Sequence, residues 1–258
     1  MDSPKYRSIF ISDIHLGSRG CKAEELCNFL KHNTAENLYL IGDIIDGWRL
    51  KRKYYWNQNH SNVIRRILTA AKRETKVHYI VGNHDEALRP FLRYDIALGN
   101  IDIMNRHTYW DMHGRQFLVV HGDMFDSMMR HENKFWMRIG DMAYDMLVVI
   151  NTKLNVVRVA LGMEYWSISA FLKKKTKQAL AYINRFEDLI TEYCHKNNYD
   201  GIICGHIHTA EIKLIEDTIY MNDGDWVESM TALVETHDGI WQILEYQKDG
   251  SMKVIREY

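Results

Sequence analysis

Five short segments of the chain share one arrangement, in which acidic, amide or imidazole side chains come directly after an apolar, strand-like stretch. In chain order they are Ser12-Asp13-Ile14-His15, Gly42-Asp43-Ile44-Ile45-Asp46, Gly82-Asn83-His84-Asp85, His121-Gly122-Asp123 and Gly205-His206-Ile207-His208. In α/β sheets, ligands bind in the crevice outside the carboxyl ends of the strands. We therefore expect five strand ends to converge on one crevice.

The pattern between these segments predicts an α/β fold. In the first third, strands are predicted at 6–11, 37–41 and 76–81, and helices at 24–30 and 62–71. Strands that alternate with helices indicate βαβ units. Two strand pairs with turns between them follow, at 108–112 with 116–120 and at 231–235 with 241–246, before a turn at 248–250 and a last strand. Apolar residues at helical spacing fill much of 126–196, which we interpret as a helical cap inserted into one domain, 1–258.

The residue types in the five segments fit divalent metals. Imidazole and carboxylate ligands suit manganese, iron, zinc or cobalt, and no cysteine ligand is present to indicate a structural zinc site. Alternate residues of an extended segment point to the same side. Asp13 with His15, and His206 with His208, can therefore each reach one metal pocket. The glycines within the segments allow sharp turns and close backbone approach.

Each ligand also has a structural interpretation when taken alone. Asp13, Asp43 or Asn83 could cap a helix or shape a turn. His121 and the 206/208 pair could be ordinary strand-end histidines. The shared setting of all five segments favours the metal site.

The order DxH, GDxxD, GNHD, HGD, GHxH resembles that of the calcineurin-like metallophosphoesterases, and it spans Asp13 to His208. This resemblance implies a four-layer α/β/β/α sandwich with two divalent metals, manganese being favoured over iron, zinc or cobalt. It assigns the first metal to Asp13, His15, Asp43 and His208, and the second to Asp43, Asn83, His121 and His206, with Asp43 bridging. Paired metals activate water and stabilise in-line displacement at phosphorus.

The resemblance also implies roles for residues beside the ligands. His84 would act with Asp43 in catalysis, as a general acid or as a stabiliser of the transition state. We interpret Asp46 and Asp85 as partners that orient the histidines, and ordinary turn residues are the alternative.

A narrower resemblance is to the UDP-2,3-diacylglucosamine diphosphatases. It rests on Ser12-Asp13-Ile14-His15-Leu16-Gly17, on the HGD motif, on the helical insertion and on Asn222-Asp223-Gly224-Asp225-Trp226-Val227-Glu228-Ser229. It implies cleavage of the pyrophosphate to give UMP and a lipid phosphate. The methionine-rich helical block would then bind acyl chains, or would simply pack its own helices.

One departure concerns the substrate, because this chain has GNHD where the lipid enzymes have GNRD. Another nucleotide-linked lipid or lipid phosphoester stays open for this reason. Our candidate substrate contacts are Arg19, Asp123, Asp126 and Trp226. A phosphodiesterase or phosphatase acting on a soluble substrate, such as a cyclic nucleotide, is the alternative function. A non-catalytic binding scaffold is disfavoured by the complete ligand set.

Charge and terminal sequence bear on partners and location. The net charge is −1, and we expect no nucleic-acid partner. The lysine run at 173–177 could lie on an anionic membrane or form a solvated helix face. No signal peptide and no bilayer-spanning apolar run is evident. We therefore expect a cytoplasmic protein. A peripheral position on the cytoplasmic face of the inner membrane is the alternative.

Overall fold

The computed structural model describes residues 5–94, 99–129 and 169–258. In its first half, strands and helices alternate as predicted. The elements are β1 (Tyr6–Ile11), α1 (Ala23–His32), β2 (Ala35–Ile41), α2 (Gly47–Arg52), α3 (Gln58–Lys72), β3 (Lys76–Ile80), a 3-10 helix (Glu86–Tyr94) and β4 (Ile101–Met104).

The second half contains the predicted strand pairs. Its elements are β5 (His107–Trp110), β6 (Gln116–Val119), α4 (Asp123–Met129), α5 (Ser169–Asn197), β7 (Gly201–Cys204), β8 (Glu211–Ile215), β9 (Thr218–Asn222), β10 (Thr231–Glu235), β11 (Trp241–Tyr246) and β12 (Met252–Glu257). β5 pairs with β6, and β10 with β11, both antiparallel as expected from their short connections.

The strands form two sheets. The seven-stranded sheet has the order β12-β11-β10-β1-β2-β3-β4, and the five-stranded sheet has the order β5-β6-β7-β9-β8. β1, β2, β3 and β4 are mutually parallel, as are β6, β7 and β9. All five ligand-bearing segments therefore follow a parallel strand, so their side chains can collect at one edge of the sheets.

Strand alternation divides the apolar side chains between two cores. On β1, Ile9 and Ile11 pack with the helix residues Leu26 and Val63, whereas Phe10 faces the other way. A second core lies between the two sheets, where Phe10, Tyr39 and Ile41 meet Phe117, Val119 and Ile203. This alternation is the period-two pattern of strands buried on both faces.

α3 shows how the sequence forms the outer helices. The side chain of Asn57 accepts a hydrogen bond from the His60 backbone N–H at 3.0 Å and so caps the first turn. Val63, Ile67 and Ala71 recur at four-residue spacing and are buried against the seven-stranded sheet. The two sheets with their helices confirm the mixed α/β sandwich.

Internal contacts divide the chain into two compact units, one of Met1–Asp123 with Ile190–Tyr258 and one of Met124–Leu189. In the second unit, the Tyr182 hydroxyl donates to Asp126 Oδ1 at 2.6 Å, and the rings of Phe125 and Phe186 meet edge to face at 5.7 Å. The middle of the predicted cap, 130–168, lies outside the described residues. The single-domain interpretation with an inserted cap therefore stays a prediction.

Among the described residues, no helix combines the length and the hydropathy that a membrane-spanning segment requires.

Candidate metal centre

The strand ends bring the predicted ligands of the first metal together. His208 Nε2 lies 3.1 Å from Asp13 Oδ1, and His15 Nε2 lies 3.9 Å from the same oxygen. His15 Nε2 is also 3.8 Å from Asp43 Oδ2. Ligand atoms of Asp13, His15 and His208 all lie within 4.8 Å of one another, a spacing that could hold one metal ion.

A second group forms around His121, and Asp43 belongs to it. His121 Nε2 lies 3.4 Å from Asp43 Oδ1 and 3.2 Å from Asn83 Oδ1. The His206 ring lies 5.0 Å from the His121 ring. Asp43 therefore lies between the two groups, with Oδ2 near His15 and Oδ1 near His121. This is the position that a bridging ligand requires.

Asp13 Oδ1 shows that these residues fit a cation. The carboxylate is buried, and within the described part of the chain no partner makes a hydrogen bond of good geometry to this oxygen, although His208 Nε2 lies 3.1 Å away. A buried anionic oxygen without a hydrogen bond costs free energy unless a cation neutralises it. A divalent metal would supply that charge, and the surrounding imidazole and carboxylate donors are of the right chemical class.

The backbone of the centre is strained. Asp13, His15, Asp43, His206 and His208 all have positive φ, between 48° and 72°. Left-handed conformations cost non-glycine residues about 1–2 kcal/mol each, and they persist where the surrounding structure fixes them. Five of the seven predicted ligands carry this strain, so the fold gives up stability to place them.

Two glycines allow the ligands to approach closely. A Cβ on Gly42, whose φ is +76°, would lie 2.4 Å from Cγ of His121. A Cβ on Gly205 would lie 2.1 Å from Ser12 Oγ and 2.5 Å from Asp13 Oδ2. A larger residue at either position would displace a ligand or its neighbour.

Hydrogen bonds orient two of the histidines with Nε2 toward the centre. His121 Nδ1 is 2.9 Å from the Ile41 carbonyl oxygen, which fixes Nδ1 as the donor. His15 Nδ1 is 3.3 Å from Asp46 Oδ2. Partners of this kind set the tautomer of a metal-binding imidazole and leave Nε2 free to coordinate.

Asp46 also holds His84. Its Oδ1 lies 2.9 Å from His84 Nδ1, and His84 Nε2 lies 3.7 Å from Asp43 Oδ2. The Trp48 ring packs on the His84 ring at 4.2 Å. Burial alone would lower the pKa of His84, but the hydrogen bond to Asp46 and the charge of Asp43 outweigh it and raise that pKa.

Asp85 makes different contacts from those we expected. It accepts backbone N–H groups from Ile45 at 3.1 Å and from Ile44 and Gly82 at 3.4 Å. These bonds join the GDxxD and GNHD loops, so Asp85 fixes the backbone rather than a histidine ring. Burial is the largest cause that raises its pKa to about 6.

The charges of the ligands stabilise one another. Burial would raise the pKa of Asp13, but the charges of His121 and His208 outweigh it and lower that pKa. Burial would likewise lower the pKa of His121, yet Asp43 and Asp13 raise it to about 10. The Asp13 carboxylate therefore stays ionised, and its negative charge is available to a cation.

Ser12 and Asp223 complete the support of Asp13, and neither was predicted to do so from the sequence. Ser12 Oγ lies 2.6 Å from Asp13 Oδ2 and 2.7 Å from Asp223 Oδ1. Burial and the charge of Asp13 raise the pKa of Asp223 well above its ordinary value. A protonated Asp223 can donate to Ser12, which can then donate to Asp13. The position of Ser12 directly before Asp13 was the available sequence signal.

A pocket of about 370 Å³ opens beside the centre. Its walls include the ligands Asp43, Asn83 and His208 together with His84. Arg49, Ser18, Gly20 and Val227 line it as well, and sequence reasoning missed all four. Arg49 follows the GDxxD motif by three residues, but a single arginine gives no periodic or motif signal.

The four predicted substrate contacts have different positions. Arg19 is exposed next to the pocket residues Ser18 and Gly20, and its guanidinium lies over the Tyr55 ring at 5.2 Å. Asp123 pairs with Arg89 at 2.6 Å, and Asp126 accepts the Tyr182 hydrogen bond in the second unit. For Asp123 and Asp126, a role in substrate binding stays a prediction.

The prediction for Trp226 needs correction. Its side chain is 0% exposed and packs against Phe29, with ring centroids 5.2 Å apart, in the core beneath the seven-stranded sheet. A substrate cannot reach it there. Its backbone N–H donates to the Asp13 carbonyl oxygen at 3.2 Å, so this residue supports the ligand loop through the main chain.

Comparison with known proteins agrees with this centre. The family model described as calcineurin-like phosphoesterase matches residues 6–210, which include every predicted metal ligand. The chain belongs to the calcineurin-like phosphoesterase family. It is therefore a hydrolase of phosphoesters, and the family's divalent metals match the ligand clusters described above.

Two relatives are UDP-2,3-diacylglucosamine hydrolases. The one from Photobacterium profundum is 22% identical over 247 residues, which are 90% of this chain and 94% of that protein. The one from Aliivibrio fischeri is 29% identical over 119 residues, 45% of this chain. This second match spans about half of the relative's length, 47%.

A solved structure of similar fold is that of YfcE, a phosphoesterase from E. coli. The two chains are 15% identical, with a TM-score of 0.50, and 97% of each is covered. At this identity the likeness concerns the fold alone. It agrees with the two-sheet sandwich of this calcineurin-like phosphoesterase.

Proposed function

We propose that this phosphoesterase hydrolyses the pyrophosphate bond of UDP-2,3-diacylglucosamine or of a related nucleotide-linked lipid, releasing UMP and a lipid phosphate. The observation that carries the proposal is the match to the Photobacterium hydrolase along 94% of that protein's length. The motif order and the Asn222–Ser229 segment support the same substrate class.

The centre would hold two divalent ions, and we propose manganese. Asp13, His15, Asp43 and His208 would hold one ion, and Asp43, Asn83, His121 and His206 the other. When bound, such ions neutralise phosphoryl charge and activate water. The chain's own contribution is to fix these donors through strained backbone and through the hydrogen bonds of Ile41, Asp46 and Ser12.

His84 is the residue we assign to the leaving group. Its Nδ1 is held by Asp46, and His84 lines the pocket beside Asp43. The hydrogen bond to Asp46 and the charge of Asp43 raise its pKa, so the ring keeps its proton to a higher pH than a free imidazole and can donate it to the departing oxygen or stabilise the charge there. Asp46 would keep the ring oriented during this step.

The acyl chains of the proposed substrate would place the reaction at a membrane surface. A peripheral position on the cytoplasmic face of the inner membrane, with the lysine run of 173–177 contributing charge, belongs to this proposal. GNHD in place of GNRD favours a second candidate, in which another nucleotide-linked or soluble phosphoester is cleaved by the same centre.

The test is to follow UMP release from UDP-2,3-diacylglucosamine in mixed micelles by the manganese-loaded protein. His121→Ala serves as the blank, because it removes a ligand from the second group. We expect rapid release by the wild type and none by the variant. Metal-dependent hydrolysis of bis(p-nitrophenyl) phosphate without UMP release would reject this substrate and keep the two-metal chemistry.

A further inference from the structure

Arg49 gives the pocket a permanent positive charge. It lies in the first turn of α2, directly after the GDxxD motif, and lines the pocket together with His84 and the metal ligands. Among the pocket-lining residues that the structure describes, it is the only lysine or arginine. The following cations of the same helix, Lys51 and Arg52, are exposed but do not line the pocket.

Asp46 holds Arg49 at two points. Asp46 Oδ1 accepts a hydrogen bond from the Arg49 backbone N–H at 2.9 Å, and Asp46 Oδ2 lies 3.4 Å from Arg49 Nε. The same carboxylate contacts His84 and His15. One buried carboxylate thus fixes a metal ligand, the proposed acid and the arginine in a common frame.

The far end of the guanidinium is available to a ligand. The Arg49 side chain is 69% exposed, and its contact with Asp46 is through Nε. Across 5–94, 99–129 and 169–258, no hydrogen bond or ion pair engages its two terminal nitrogens. A guanidinium presented in this way can bind two phosphoryl oxygens at once, which a point-charge ammonium cannot do.

We infer that Arg49 binds the phosphoryl group adjacent to the one attacked, and that it thereby selects diphosphate-linked substrates over simple phosphodiesters. This inference rests on the proposed function, because it names the second phosphate of that substrate as the ligand. The metal ligands would hold one phosphoryl group, and a diphosphate carries a second negative charge one bridging oxygen away. Arg49 is the cation on the pocket wall that can meet it.

The first experiment compares substrates. For Arg49→Met, kcat/KM for UDP-2,3-diacylglucosamine should fall roughly 10- to 100-fold relative to kcat/KM for bis(p-nitrophenyl) phosphate, as expected for one lost charged hydrogen-bond pair. Arg49→Lys should restore the ratio of the two kcat/KM values only in part, because lysine supplies the positive charge but not the planar guanidinium. Arg52→Met, a cation of the same helix outside the pocket, should keep the wild-type ratio.

A second experiment does not depend on turnover of the lipid. UDP and UMP are compared as inhibitors of bis(p-nitrophenyl) phosphate hydrolysis at fixed free manganese. In the wild type UDP should bind more tightly than UMP, and Arg49→Met should reduce that preference about 10-fold. An unchanged preference would overturn the role of Arg49. Absence of UMP release by the wild type would instead reject the proposed substrate, and the inhibitor ratio would still decide on Arg49.

Discussion

Two groups of charged residues lie at opposite ends of one strand, β1, and they differ in how completely they are paired. Near the amino end, the Arg7 guanidinium donates to Tyr109 Oη at 2.6 Å and to the Trp110 carbonyl at 2.9 Å, and it pairs with Glu235. Glu235 is fully buried and also accepts the Met112 N–H at 2.8 Å. Beyond the carboxyl end, Asp13 is equally buried, but within the described part of the chain its Oδ1 has no hydrogen bond of good geometry and only His208 Nε2 at 3.1 Å and His15 Nε2 at 3.9 Å nearby.

The two clusters also differ in backbone strain. Positive φ angles occur at Asp13 and His15 beyond the carboxyl end of β1, whereas Arg7 and Glu235 are ordinary strand residues. A complete set of partners and a relaxed backbone indicate a cluster that stabilises the fold. An incomplete set on a strained backbone indicates a cluster that a ligand completes. Mutations in the Arg7–Glu235 cluster should therefore lower stability and leave activity intact. Mutations in the ligand cluster around Asp13 should lower activity.

Asp43→Asn should give the largest effect. It removes the carboxylate that both ligand groups share, so the rate of bis(p-nitrophenyl) phosphate hydrolysis should fall on the order of 10³-fold or more. Steady-state kinetics with manganese present measure this loss. Asp102→Asn, an exposed carboxylate on β4, is the matched control. Activity within about tenfold of the wild type would contradict the bridging role.

Arg7→Met should show the opposite behaviour. It leaves the buried Glu235 carboxylate without its cationic partner, so the free energy of unfolding should fall by about 3 kcal/mol. Urea denaturation measures this change, and hydrolysis below the melting transition should be retained. Arg256→Met, on the exposed strand β12, should cost much less. A loss of activity without a loss of stability would break the comparison.

Metal addition should stabilise the protein by binding to the ligand cluster that contains Asp13 and Asp43, and not through the Arg7–Glu235 cluster. Manganese at about 100 times its Kd should raise the free energy of unfolding by about 2.7 kcal/mol per site. Thermal unfolding with and without manganese should show this shift in the wild type and in Arg7→Met. In Asp43→Asn the shift should be absent, and an equal shift there would place the metal elsewhere.

The smallest effect concerns His78, a buried histidine outside both clusters. Burial is the main cause that lowers its pKa from 6.5 to about 4, and its ring stacks on Tyr39 at 4.4 Å. The unfolded chain therefore binds the proton more readily, so this contribution to stability is complete above pH 6.5 and is lost as pH falls toward 4. His78→Phe should remove about 2 kcal/mol of the stability loss between neutral pH and about pH 5. Urea denaturation near neutral pH and at about pH 5 measures it, and parallel pH curves for both proteins would contradict the assignment.

The sequence predicted the elements well where the pattern is local. β1, β2 and β3 follow from short apolar runs, and each ligand-bearing loop follows from the residue types after a strand. Asp46 was predicted to orient histidines, but its choice of His15 and His84 and its contact with Arg49 could not be predicted, because they depend on how the GDxxD and GNHD loops meet in space. The burial of Trp226 was missed for a similar reason, since its motif suggested the substrate and only packing against Phe29 places it in the core.

The pairing of β1 with β10 was equally inaccessible. The two strands lie far apart in the sequence, and Ser8 pairs with Glu235 across the ladder. No local pattern links Arg7 to Glu235, so the stabilising cluster is visible only in the fold. The ligand centre was easier to find because its chemistry restricts the residue types at each strand end.

The most direct test of a shared two-metal centre is to count metal ions. Equilibrium dialysis of the wild-type protein against manganese, followed by elemental analysis, should find two ions per chain. Asp43→Asn should bind far less, because it removes the ligand common to both groups, while Arg7→Met should still bind two. One ion or none per wild-type chain, or unchanged binding in Asp43→Asn, would contradict such a centre at the strand ends.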